Sequence, residues 1–157
     1  MIEIESDRKD YSLIGIVLGY LGLIPFLLGA TSALILDPIP VFLEEVVIVY
    51  STIILSFLGG IQWGLALCSE KNKDGRLILS VFSSLVPWFL CLIFILFSDL
   101  PVFIFYFFFG IFHLAQLFID KKIFSYIPIA SWYLKMRYKL AYTVSSCHLI
   151  LMLLSLQ

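Results

Sequence analysis

The sequence predicts an all-α, polytopic membrane protein: five transmembrane helices in one bundle, N-terminus in the cytoplasm and C-terminus outside. Three observations predict it. The chain of 157 residues is 62% hydrophobic and 13% charged, too little polar surface for a water-soluble domain. Its apolar residues gather into five long runs parted by short polar connections. All ten Lys and Arg fall in alternate connections, the asymmetry by which bases mark the cytoplasmic face. Arg8 and Lys9 precede the first run, Lys71, Lys73 and Arg76 lie between the second and third, and Lys121, Lys122, Lys135, Arg137 and Lys139 lie between the fourth and fifth.

The first span covers about residues 11–36 and stops at Asp37-Pro38-Ile39-Pro40. Pro25 lies inside it, removes the amide that would bond the Leu21 carbonyl, and should bend the helix. The run is too long for a cleaved signal and no small-residue cleavage site follows it, so it should remain as a span. The second span, about 44–68, ends in the hydrophilic loop that begins at Ser69. The third and fourth, about 77–97 and 101–119, are joined by Ser98-Asp99-Leu100 alone and should form a tight antiparallel hairpin. Against His113 and Gln116, the Phe, Ile, Leu and Val residues of the fourth carry insertion easily. The fifth span is about 140–156, preceded by a segment mixing aromatics and bases that should start a helix at headgroup level with Ser131 as its cap. One integral membrane domain, residues 1–157, is expected.

Each span has a face of small or polar residues. Gly15, Gly19 and Gly22 form a stripe on the first, and Ser56, Gly60 and Gly64 on the second. Such patterns let helices approach closely where lipid supplies no hydrophobic drive, so these residues are assigned to helix packing. On the fourth span Tyr106, Gly110, His113 and Asp120 share a seam with Gln116 at its edge. The cysteines Cys68, Cys91 and Cys147 are single and widely spaced, which suits small packing residues and gives no metal site.

Signatures of catalysis are lacking. There is no GxSxG, HExxH or phosphate-binding glycine loop, and no carboxylate at mid-depth for a proton relay. No catalytic residue, metal or cofactor is predicted, and the protein leans away from being an enzyme. The bases are too few, in loops too short, for nucleic acid; they suit anionic lipid headgroups on the cytoplasmic side. Five spans also cannot be halved into inverted repeats, which weighs against the commonest transporter architecture.

The polar residues left as ligand candidates are few. His113 and His148 are the weak cofactor candidates: antiparallel neighbouring helices can bring them together, and haem or a quinone is then geometrically allowed. Gln62 and Gln116 can meet a ligand headgroup or bond a neighbouring helix, and Trp63 suits an interfacial anchor. Lys135, Arg137 and Lys139 form a basic cluster able to hold a lipid phosphate.

Three segments carry a family resemblance: Leu18-Gly19-Tyr20-Leu21-Gly22-Leu23-Ile24-Pro25-Phe26, the Ser56-Phe57-Leu58-Gly59-Gly60-Ile61-Gln62-Trp63-Gly64 stretch, and Trp132-Tyr133-Leu134-Lys135-Met136-Arg137. Their order and spacing resemble the uncharacterised membrane family DUF3429, whose eukaryotic relatives resemble transmembrane protein 69. The resemblance implies a small multi-pass protein of the bacterial inner (cytoplasmic) membrane, with relatives in the mitochondrial inner membrane, and implies no activity. In that family Gln62 often has His or Arg at its place; glutamine here offers no titratable or cationic group.

The leading functional expectation is a non-enzymatic protein working through helix contacts with another membrane component, as an accessory or assembly factor, or with a second copy of itself. The alternative is a small carrier or permeation protein for a small or lipid-like molecule, built on Gln62, Pro25 and the His113/Gln116 seam. A haem- or quinone-binding protein using His113 and His148 comes third.

Overall fold

The computed structural model describes residues 13–36, 38–68, 73–97, 99–125 and 129–156. Within them every regular element is a helix: α1 (13–21), α2 (Ile24–Ile35), α3 (Val41–Cys68), α4 (Lys73–Leu96), α5 (Val102–Phe124) and α6 (Ser131–Leu154). Arg8, Lys9, Asp37, Lys71 and Ser98, which enter the topology argument, lie outside the described residues.

Pro25 does more than bend the first span. The helix stops at residue 21 and restarts at Ile24 with the proline in its first turn, where a missing amide costs least. Across the break the Leu23 amide turns back to the Tyr20 carbonyl at 3.0 Å, a tighter turn. The Tyr50 hydroxyl, reaching from α3, donates to the Gly22 carbonyl at 3.1 Å. The break is thus held by a second helix.

The remaining boundaries follow local chemistry. α3 starts directly after Pro40, whose carbonyl accepts the Leu43 amide at 2.8 Å. α5 follows Pro101, whose extended backbone forms its N-cap. It continues to Phe124, past the expected end near Ile119, because Asp120 is buried and charge-matched instead of lying in a loop. The interfacial segment and the last span expected from the sequence are one continuous helix, α6. Ser131 is its first residue, not its cap; Ala130 holds the cap position and no side chain bonds the first turn.

α3 packs along α4 and also against α5, α5 packs along α6, and α2 closes the array against α6 and α3. The chain direction therefore puts the start of α1, the ends of α3 and α5 and the starts of α4 and α6 at one end of the bundle. At the other end Leu36, Pro38, Val102 and Leu154 line a common hollow.

The burial pattern is inverted relative to a soluble bundle. Phe42, Phe57, Ile78, Phe82, Trp88 and Phe118 are exposed, while Ser51, Gln62, Ser80, His113, Gln116, Asp120, Arg137 and His148 are buried. Water would penalise so much outward apolar surface; hydrocarbon accepts it. Four helices, Leu13–Ile35 (α1 and α2 taken together), Val41–Cys68, Gly75–Leu96 and Val102–Phe124, are long and apolar enough to cross a bilayer. The protein is a helical membrane bundle.

Glycine packing corrects one expectation. At Gly60 and Gly64 an added Cβ would meet nothing within 4 Å, so these two do not pack inside the bundle. Their neighbour Gly59 does: its Cβ would stand 2.5 Å from the Ser84 backbone of α4. Ser56 joins the same contact, donating to the Ser84 carbonyl at 2.9 Å. In α1, Gly15 lies against the Trp132 ring and Gly19 against the Met136 side chain, both on α6, while Gly22 sits beside the Tyr50 hydroxyl.

Candidate functional site: a buried polar seam beside an apolar cleft

The interior holds a chain of polar side chains from four helices. Pro87 of α4 has no amide hydrogen, so the Ser83 carbonyl one turn earlier lacks its helical donor. Gln116 of α5 replaces it, its Nε2 donating at 3.3 Å. Gln62 of α3 donates through Nε2 to Gln116 Oε1 at 2.6 Å and to Asp120 Oδ1 at 2.8 Å. Its own Oε1 accepts the Ser83 hydroxyl at 2.7 Å. Arg137 of α6 completes the chain, donating Nε and Nη2 to Asp120 Oδ2 at 3.0 and 2.8 Å. Both charged side chains are 6% exposed, so neither charge is tenable without the other.

This seam resolves several candidates. Gln62 and Gln116 bond neighbouring helices and each other. Trp63 stands exposed on the outer face of α3. The basic cluster does not exist as a unit: Lys135 and Lys139 are exposed, whereas Arg137 points inward and is neutralised by Asp120. The spacing explains this, since a residue two positions along a helix lies roughly 200° around it.

The two histidines do meet. The rings of His113 (α5) and His148 (α6) are 5.5 Å apart, and Phe26 of α2 packs against both at 5.6 Å. They are otherwise unlike. His148 Nδ1 faces the Val144 carbonyl at 2.9 Å and its Nε2 faces the Ser51 hydroxyl at 2.8 Å. A carbonyl only accepts, so the proton sits on Nδ1; the Ser51 hydroxyl, which also donates to the Val47 carbonyl at 2.7 Å, shares its one proton between that carbonyl and Nε2. His113 is buried at 3% exposure and its Nε2 has no hydrogen-bond partner among the described residues. A bis-histidine haem does not fit this arrangement, because both nitrogens of His148 are engaged within the protein.

His113 lines a cleft of about 340 Å³ enclosed by α1, α2, α3, α5 and α6. Its walls are apolar: Leu18, Leu23 and Phe26 on one side, Ile54, Phe57 and Leu58 on α3, Met136, Leu140 and Val144 on α6. Gly15, Gly19 and Gly22 face it, so the stripe on α1 hollows the wall as well as allowing approach. Leu18 and Phe57 are exposed and mark its outer rim. Arg137 closes one end, and on its other side, with Asp120, lines a second hollow with Lys121 and Tyr138. A cleft of this size, largely apolar with few polar groups, has the make-up of small-molecule sites.

Sequence reasoning missed Ser51, Ser83 and Tyr50. Ser51 shares a helical register with Leu55, Leu58 and Gln62, all buried on α3, so periodicity carried the signal for it. Ser83 stands four residues before Pro87, where a freed carbonyl calls for an outside donor. Tyr106, placed in the α5 seam from spacing, is fully buried and its hydroxyl has no partner among the described residues.

No curated protein and no solved structure matches the chain. The model of a family described as "Protein of unknown function (DUF3429)" matches residues 13–153, from the start of α1 almost to the end of α6. The chain therefore belongs to the DUF3429 family of proteins of unknown function.

Proposed function

We propose that this membrane protein holds a small lipid-like molecule in the cleft between α1, α3, α5 and α6. The observation that supports this reading is His113, a buried imidazole that lines an apolar cavity and whose Nε2 has no partner among the described residues. Buried polar atoms normally find partners, and an unmatched one is costly enough to call for an explanation. The cleft lies open at an exposed, apolar rim, so an occupant can enter from the bilayer without crossing water. A carrier or binding protein thus moves ahead of the helix-contact role that the sequence favours.

The test is retention. Protein extracted with native lipids and exchanged repeatedly into fresh detergent should keep a stoichiometric apolar molecule, detected by mass spectrometry of the intact complex. Ala141→Leu, which fills the cleft wall, should release it. Wild-type protein that carries nothing through the exchange would sink the reading.

The helix-contact role has its own support in Gly60 and Gly64, two exposed glycines one turn apart on the outer face of α3 with nothing among the described residues against them. A Gly60→Cys variant that forms a defined crosslinked species in native membranes would favour it, and random or absent crosslinking would count against it.

We also place the protein in a bacterial inner membrane with five crossings, bases on the cytoplasmic side and anionic headgroups as their neighbours. α6, at 24 residues, is about 36 Å long and carries no charged residue after Lys139, which supports a fifth crossing.

A further inference from the structure

We infer that the molecule held in the cleft is uncharged and presents a carbonyl or hydroxyl oxygen to His113 Nε2; this rests on the cleft being a binding site, as proposed above. Among the described residues Arg137 is the one charged residue lining the cleft, and its Nε and Nη2 donate to Asp120. Arg137 and Asp120 balance each other, so an anionic or a cationic ligand would bring an unmatched charge into an apolar cavity. An uncharged ligand avoids that penalty.

A neutral imidazole offers Nε2 as donor in one tautomer and acceptor in the other, so a carbonyl oxygen matches the first and a hydroxyl matches either. Phe26 holds the His113 ring edge-on, with planes at 85° and centroids 5.6 Å apart, and Nε2 is itself buried, so the ligand oxygen reaches it by a small turn of the ring toward the cleft. The rest of the wall is hydrocarbon and suits an acyl, prenyl or ring body. Glyceride-like and quinone-like molecules share this chemistry.

Full-length protein in lipid nanodiscs separates them with three probes: monoolein, a decyl-substituted benzoquinone and oleate. At least one uncharged probe should bind about tenfold or more tighter than oleate, and which one binds identifies the source. His113→Leu should weaken that probe by about tenfold, while His113→Gln, which keeps a nitrogen near the Nε2 position, should stay within about threefold. In wild-type protein with labelled imidazole nitrogens, the probe should move the His113 Nε2 resonance and leave that of His148 in place. The nitrogen spectrum needs no variant, so the idea stays exposed even if His113→Leu does not fold. Oleate binding as tightly as the uncharged probes overturns the inference. So does a bound probe indifferent to His113→Leu, or one that leaves the His113 resonance unmoved, although either would keep the cleft as a site. Failure of all three to bind overturns the site itself and the inference with it.

Discussion

Gln116 donates to the Ser83 carbonyl, the very group that Pro87 leaves without a backbone donor. One helix thereby repairs the proline break of another. The repair predicts coupling between positions 87 and 116. Gln116→Leu should destabilise the protein in the native background, by about 0.6 to 1.7 kcal/mol per lost interhelical hydrogen bond. In a Pro87→Ala background, where position 87 again supplies an amide, the same change should cost less. Unfolding midpoints for the four proteins of this cycle check it, and strictly additive effects would contradict the account.

Asp120 and Arg137 form a buried ion pair, so removing one partner should hurt more than removing both. Asp120→Asn leaves a buried guanidinium without its counter-charge and should cost on the order of 3–5 kcal/mol. The double change Asp120→Leu with Arg137→Met should recover most of that loss. Thermal unfolding in a single detergent reads both. A double variant no better than Asp120→Asn would mean that the pair contributes more than charge matching.

Gly59 and Gly60 are adjacent in sequence and opposite in consequence. A methyl at Gly59 would press into the Ser84 backbone of α4, and overpacking of this kind costs about 1–3 kcal/mol. At Gly60 the same methyl meets nothing. Gly59→Ala should lower the melting temperature, and Gly60→Ala should leave it unchanged or raise it slightly through helix propensity. The reverse order would place the α3–α4 contact on the wrong face.

Topology makes a separate prediction. With α6 as a fifth crossing, reporters fused at the two ends of the chain should light up in opposite compartments. Replacing Lys121 and Lys122 with Gln should weaken that bias, because bases flanking a span help to set its side. Reporters in the same compartment would reduce α6 to an interfacial helix.

Much of the fold was legible because hydrocarbon imposes a simple rule: long apolar runs must become helices that satisfy their own backbone. Pro25 and the Pro40 and Pro101 boundaries were readable for the same local reason. Side-chain partners were harder. Asp120 shares the polar seam of the fourth span by spacing, but its partner Arg137 comes from α6 and spacing alone puts that arginine in a basic cluster. Gly59 and Gly60 differ by one step on the helix wheel, and only the position of α4 decides which of them is crowded. The meeting of His113 and His148 was allowed by spacing. Their difference, one bonded through both nitrogens and one with an Nε2 that has no partner among the described residues, depends on Ser51 and on α1, which periodicity cannot place.

The most direct test is a density map of the protein extracted with its native lipids. A bound, elongated density in the cleft, with a polar end within hydrogen-bond distance of His113 Nε2, is the predicted result. A map in which α1 closes against α3 and His113 bonds to a protein group instead would contradict it.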